Sequence, residues 1–133
     1  MPTPISDFDR ALDRIGKGKH VSLTTFRRNG QPVSTPVGGL VHDGTLYALT
    51  APDTGKVKRI RNTPQVTIAP CDMKGAVPAG VPTVSATARL LDPAETARVQ
   101  EMMKRRFLMY RLVRLLDRAL GRERRLVAIA VNP

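Results

Sequence analysis

Two glycine-ended turns constrain the fold of this chain more than any other feature. Asn29-Gly30 and Asp43-Gly44 separate three strand-like runs: Val21-Ser22-Leu23-Thr24-Thr25-Phe26, then Val33 to Val41, then Thr45-Leu46-Tyr47-Ala48-Leu49-Thr50. A glycine after Asn or Asp tolerates the positive φ that a tight hairpin demands, so such pairs between β-rich runs reverse the chain. The three runs are expected to form an antiparallel meander through turns at Arg28-Asn29-Gly30-Gln31 and His42-Asp43-Gly44.

Further strand patterns follow at Gln65-Val66-Thr67-Ile68-Ala69, at Thr83 to Leu91, and at Leu126-Val127-Ala128-Ile129-Ala130-Val131. Helical spacing joins Ile5, Phe8, Leu12 and Ile15, with Ser6 as cap and Asp7 and Asp9 near the positive end of the helix. Asp92-Pro93 opens a second helix running to about Arg105, since proline suits a first helical turn. A third helical stretch spans about Phe107 to Leu120, stopped by Gly121. Asp72 to Pro82 is rich in Gly and Pro and reads as a loop. Six strands linked mostly by turns, with helices inserted, predict an α+β, mainly β fold: a small closed antiparallel barrel decorated by helices.

The most chemically pointed segment lies between the third and fourth strands. Thr54-Gly55-Lys56-Val57-Lys58-Arg59-Ile60-Arg61-Asn62-Thr63-Pro64 holds four cations, at positions 56, 58, 59 and 61, and no acid. A short helix fits Lys56 to Asn62 with Thr54 as its cap. Its first turn would expose unpaired amides and the positive helix end, with Lys56 adding a full charge, an arrangement suited to phosphate. The plainer alternative is a solvated basic helix joining two strands.

The totals agree with an anion-binding domain without naming the anion. A chain of 133 residues, 41% hydrophobic, makes one domain, 1–133. Its net charge of +11 attracts nucleic acid, an acidic membrane or a polyanionic small molecule. Four per cent aromatic content and no Trp argue against single-strand binding by base stacking. One cysteine, Cys71, excludes an internal disulfide, and with only two His a closed zinc site would need carboxylates or a second subunit. No apolar run approaches 20 residues and no apolar leader opens the chain, so a cytoplasmic protein is expected.

Pro36, Gly38 and Gly39 are unusual within a strand, either because something flat approaches the bare backbone or because the strand is a bulged edge. Thr35 and Thr50 offer hydroxyls to a phosphate or a ring carbonyl, although threonine is also common in strands. His20 and His42 lack metal-like or triad-like neighbours, and Cys71 has no adjacent base; all three read as bystanders. Arg111, Arg114 and Arg118 form a basic stripe opposite Leu108, Leu112, Leu115 and Leu116. That pattern suits an anionic surface, a partner subunit, or simply a packed helix with a basic outer face.

Taken together, the run from Ser22 to Asp72, the loop with Gly75 and the strand Val84-Ser85-Ala86-Thr87-Ala88-Arg89-Leu90-Leu91 resemble the split-barrel flavin and deazaflavin oxidoreductases, the superfamily of pyridoxamine-phosphate oxidase. Thr54-Gly55-Lys56 followed by basic residues, Asn62 and Pro64 is the more specific part of the match. Within that superfamily the chain is most similar to the small actinobacterial proteins dependent on coenzyme F420. The resemblance implies a homodimer of six-stranded split barrels with the cofactor in a groove between subunits. Carried over by position, Ser34, Thr35, Pro36 and Val37 would line the ring and ribityl chain, and Thr50 with Ala51 would approach the phosphate. Lys56 would hold the phosphate, assisted by Lys58 and Arg61.

It further implies hydride transfer from reduced F420 to a small organic electrophile, with FMN as the alternative cofactor and Tyr47 or Tyr110 as candidate proton donors. A cofactor carrier without turnover is the second expectation, and a nucleic-acid or membrane-surface binder the third. Pyridoxamine-phosphate oxidases carry arginine where this chain has Thr35 and a substrate segment after the last strand, where this sequence stops at Val131-Asn132-Pro133. These departures lean toward the deazaflavin branch. Ala86 stands where relatives have glycine, a change a strand accommodates.

Overall fold

A computed structural model describes residues 6–18, 20–106, 112, 115, 116 and 126–133. Its order is α1 (Asp7–Gly18), β1 (His20–Phe26), β2 (Pro32–His42), β3 (Thr45–Thr50), α2 (Gly55–Asn62), β4 (Gln65–Pro70), β5 (Val84–Leu90), α3 (Pro93–Arg106) and β6 (Val127–Asn132). The strands close into an antiparallel barrel in the order β1-β2-β3-β6-β5-β4. The mainly β barrel and the meander of its first three strands are those expected from the sequence. The helical stretch foreseen over 107–120 lies outside the described residues except Leu112, Leu115 and Leu116, which are exposed.

The two turns solve reversal differently. At β2–β3, Asp43 (φ 49°) and Gly44 (φ 74°) both take the left-handed region, the two-residue solution that matches strand twist. At β1–β2, only Gly30 has positive φ, at 87°. Gly30 N–H donates to Arg27 O at 2.8 Å and Arg27 N–H to Gln31 O at 2.9 Å, giving a three-residue loop ending in a glycine bulge. The Asn29 side chain accepts from Gln31 N–H at 3.0 Å, which supports this wider loop.

Alternation along each strand separates two cores. Val21, Leu23, Leu46, Val66, Ile68, Ala86, Ala88, Ile129 and Val131 fill the barrel, joined by Phe8, Ala11, Leu12 and Ile15 of α1 and by Ile60 of α2. Outside the wall, Val99 and Met103 of α3 pack on Leu40, Leu91, Ala128 and Ala130. α3 begins with a reciprocal cap, Glu95 N–H donating to Asp92 Oδ1 at 2.7 Å and Asp92 N–H to Glu95 Oε1 at 3.4 Å. Its buried Thr96 hydroxyl accepts from Ala128 N–H at 3.1 Å and so fixes the helix to β6.

Gly39 resolves one of the sequence alternatives. It faces inward, where an added Cβ would lie 2.6 Å from Val21 Cγ2 and 3.0 Å from Leu46 Cδ1. The close approach at this bare backbone is made by the core itself. Gly38 faces outward with open space around it.

Candidate functional site

α2 sits at the barrel end that carries the β1–β2 hairpin, where Arg28 Nη2 donates to Asn62 Oδ1 at 3.5 Å. Val57 and Ile60 turn into the protein, which forces the remaining residues of the helix toward the rim or solvent. The helix begins one residue earlier than expected, at Gly55. Thr54 is the N-cap by position, with φ −73° and ψ 157°, but its side chain makes no capping bond. Its hydroxyl instead donates to Ala51 O at 3.0 Å and lies 3.4 Å from Thr50 Oγ1. Drawing Thr54 back onto Ala51 leaves the first-turn amides without a side-chain cap.

Two cations of α2 reach inward-facing threonines of the rim. Lys56 Nζ donates to the buried Thr50 Oγ1 at 3.1 Å. Arg59 Nε donates to the fully buried Thr25 Oγ1 at 2.6 Å. Neither is salt-bridged to a carboxylate among the described residues. Burial, and secondarily the positive charge of Arg59, lower the Lys56 pKa from its ordinary value of 10.5. Two like charges gathered on hydroxyls, without an acid, make a site short of negative charge.

The expected site residues divide by strand parity. Thr35 and Val37 face inward and Ser34 and Pro36 outward, two on each side of the barrel wall. Ser34 Oγ and Thr24 Oγ1 share a 2.7 Å hydrogen bond on the outer face. Pro36 packs near Gly75 of the 72–82 loop, which Asp72 Oδ1 anchors by accepting from Lys74 and Ala76 N–H, both at 2.9 Å. Val37 lies against the barrel core. Thr35 Oγ1 is a buried hydroxyl oxygen without a hydrogen-bond partner among the described residues. Thr50, Ala51 and Lys56 come together as a unit, whereas Lys58 and Arg61 are exposed on the far side of α2.

Arg59, which the resemblance leaves out of the phosphate contacts, is only part-exposed and turns onto the rim. The signal available was Gly55 four positions before it, a spacing that lets a long side chain fold back over a helix start with no Cβ in its way. The bystanders stay apart from this end of the barrel. His42 pairs with Asp43 at 3.3 Å in the exposed β2–β3 turn at the opposite end. His20 begins β1, and Cys71 is a buried thiol whose pKa is raised by burial and by Asp72. Tyr47 lies on the outer face against the α3 cluster, and Tyr110 lies outside the described residues. No group of three or more His, Cys, Asp or Glu side chains is arranged to hold a metal among the described residues.

Residues 9–132 match the pyridoxamine 5'-phosphate oxidase family. This chain belongs to that family. Its fold is shared with solved structures of diverse description. One is HutZ, the heme storage protein from Vibrio cholerae, 17% identical over 91% of this chain and 85% of that one, with a TM-score of 0.66. Another is an F420 reductase, 16% identical over 100% of this chain and 95% of that one, TM-score 0.59. A third is a pyridoxamine 5'-phosphate oxidase-related, FMN-binding protein from Nostoc punctiforme, 14% identical over 95% of this chain and 76% of that one, TM-score 0.55. No curated protein matches the sequence. At these identities the likeness to the solved structures is one of architecture.

Proposed function

We propose that this family member is an oxidoreductase that binds reduced coenzyme F420, with FMN as the alternative, and passes a hydride to a small organic electrophile. The observation that carries the reading is Lys56 held on Thr50 beside Arg59, with no carboxylate paired to either cation among the described residues. A phosphate supplies the missing negative charge and can accept from both cations. The unpartnered Thr35 hydroxyl, buried near the same end of the barrel, fits a polar ligand atom equally well. When bound, the deazaflavin or flavin ring supplies the hydride chemistry. Lys56 and Thr50 hold the phosphate side, Ala51 shapes the approach through its backbone, and exposed Lys58 and Arg61 draw in the anionic ligand from a distance.

The outer face of β1, β2, β4 and β5 carries Thr24, Ser34, Pro36, Gly38, Thr67 and Ser85, small side chains that a second copy can approach closely. A second copy laid on this face gives a homodimer in which Ser34 and Pro36 border a cofactor groove. Light scattering on the purified protein tests this, and a monomer at micromolar concentration would remove the groove from the proposal.

The function is tested by titrating the protein with oxidised F420 and FMN side by side, then assaying turnover on quinones, nitro compounds and enones with whichever binds. Binding without reoxidation of the reduced cofactor would instead support a carrier. That second reading is favoured by the α2 rim itself, where lysine, arginine and threonines offer contacts for an anion while the His and Cys side chains lie elsewhere. The described helices include none long and apolar enough to cross a membrane. Binding to DNA or anionic vesicles with no flavin-type ligand retained would displace both readings.

A further inference from the structure

The geometry points to Arg59 as a second phosphate ligand of the α2 site, held in position by Thr25 and admitted by Gly55. This deepens the cofactor reading above and rests on it for the identity of the ligand, though not for the existence of an anion site.

Three observations converge. Arg59 spends only Nε on the protein, donating to Thr25 Oγ1 at 2.6 Å, and Thr25 is fully buried in the rim. The guanidinium lies back over the first residue of α2: a Cβ on Gly55 would stand 2.7 Å from Nη1, 3.5 Å from Cζ and 3.6 Å from Nη2. The same charge contributes to lowering the Lys56 pKa, so the two cations share one locality. No acceptor engages Nη1 or Nη2 among the described residues.

A guanidinium suits this double task because its donors form a rigid planar fork. One edge is fixed by the threonine while the remaining donors are presented already oriented, and a phosphoryl group offers several acceptors to meet them. A lysine at position 59 has a single nitrogen on a flexible stem and cannot reproduce both the tether and the fork. Thr25 is therefore a positioning residue for Arg59. Gly55 leaves the guanidinium room to lie as it does; a Cβ there would push its Nη1 end aside.

The test compares ligands with and without the phosphate, titrated into the wild type and into Arg59→Gln, Arg59→Lys, Thr25→Val and Gly55→Ala. FMN and riboflavin differ by it alone, so that pair decides; F420 is compared with its deazaflavin chromophore, which lacks the acidic tail as well. Arg59→Gln is expected to weaken the phosphate-bearing ligands about tenfold and to leave the phosphate-free ones unchanged, with Arg59→Lys failing to rescue, while Gly55→Ala, which displaces only the free end of the arginine, gives a smaller loss. Thr25→Val gives a smaller loss of the same kind. Equal loss for both ligand classes would make Arg59 structural only, and an unchanged phosphate increment would overturn the assignment outright. Inorganic phosphate is tested in parallel by thermal shift against chloride at matched ionic strength. If no flavin-type cofactor binds the wild type, the functional proposal falls, yet a phosphate shift present in the wild type and absent in Arg59→Gln still upholds the site. No phosphate shift in that unliganded wild type, or one retained by Arg59→Gln, overturns it.

Discussion

Lys56 and Thr50 are six residues apart and 3.1 Å from contact to contact, the ammonium of α2 resting on the hydroxyl that ends β3. The bond is a neutral acceptor's answer to a charge, and a phosphate makes a stronger one. Lys56→Ala should weaken F420 or FMN binding by about 1.5–3 kcal/mol, the worth of a hydrogen bond to a charged group. Thr50→Val should cost less, because the ammonium keeps its charge and loses only its resting place. Fluorescence titration measures both, and unchanged affinity in Lys56→Ala removes that lysine from the site.

The lowered Lys56 pKa gives the protein a pH signature with a definite sign. Burial and Arg59 disfavour the charged form in the folded chain, so between the lowered pKa and the ordinary 10.5 the unfolded chain binds more protons at this position. Stability should therefore rise with pH across that window, and the cost is present in full below it. Anion affinity should fall over the same window, as Lys56 loses its proton. Lys56→Gln is expected to lack this part of both slopes when chemical denaturation and ligand titration are repeated across alkaline pH.

Thr35 carries a buried hydroxyl that no described residue hydrogen-bonds. Replacing it with valine removes a buried unpartnered oxygen, so the unliganded protein should be unchanged or slightly more stable. A hydroxyl that serves the ligand should instead show itself in titration, with affinity reduced by about 0.5–1.5 kcal/mol for a neutral hydrogen bond. Affinity equal to the wild type would confine Thr35 to the barrel wall.

Gly39 should tolerate no side chain without rearrangement. An alanine Cβ there meets Val21 and Leu46, both fully packed, so Gly39→Ala is expected to destabilise by about 1–3 kcal/mol in urea unfolding. Gly38→Ala, one residue away and facing open space, serves as the matched control with little effect.

The barrel was legible in the sequence because its information is local. Asp43-Gly44 dictates a two-residue reversal whatever surrounds it, and the alternation of Val21, Leu23 and Thr25 marks one inward face. Asp92-Pro93 likewise announces the start of α3, since proline suits a first helical turn. The site was only half legible because its contacts cross between elements. That Lys56 would find Thr50 follows from their nearness in the chain. That Arg59 would find Thr25, 34 residues earlier, depends on how α2 is set against the rim, and a helix of charged residues does not reveal which charge turns inward. Ser34 to Val37 show the converse: a contiguous motif reads as one surface, yet the pleat divides it between the core and the outer face.

The position of β6 has a consequence for how the molecule is made. It completes the wall between β3 and β5, and Asn132 Nδ2 donates to Thr45 Oγ1 at 2.8 Å across a separation of 87 residues. During synthesis the earlier strands emerge while this gap is still open, with the edges of β3 and β5 unpaired and available to other chains. Closure must wait for the strand made last, and the rim threonines share a wall that is completed only then. The nascent protein therefore passes through an open-sheet stage in which its exposure to wrong partners is greatest just before the barrel closes.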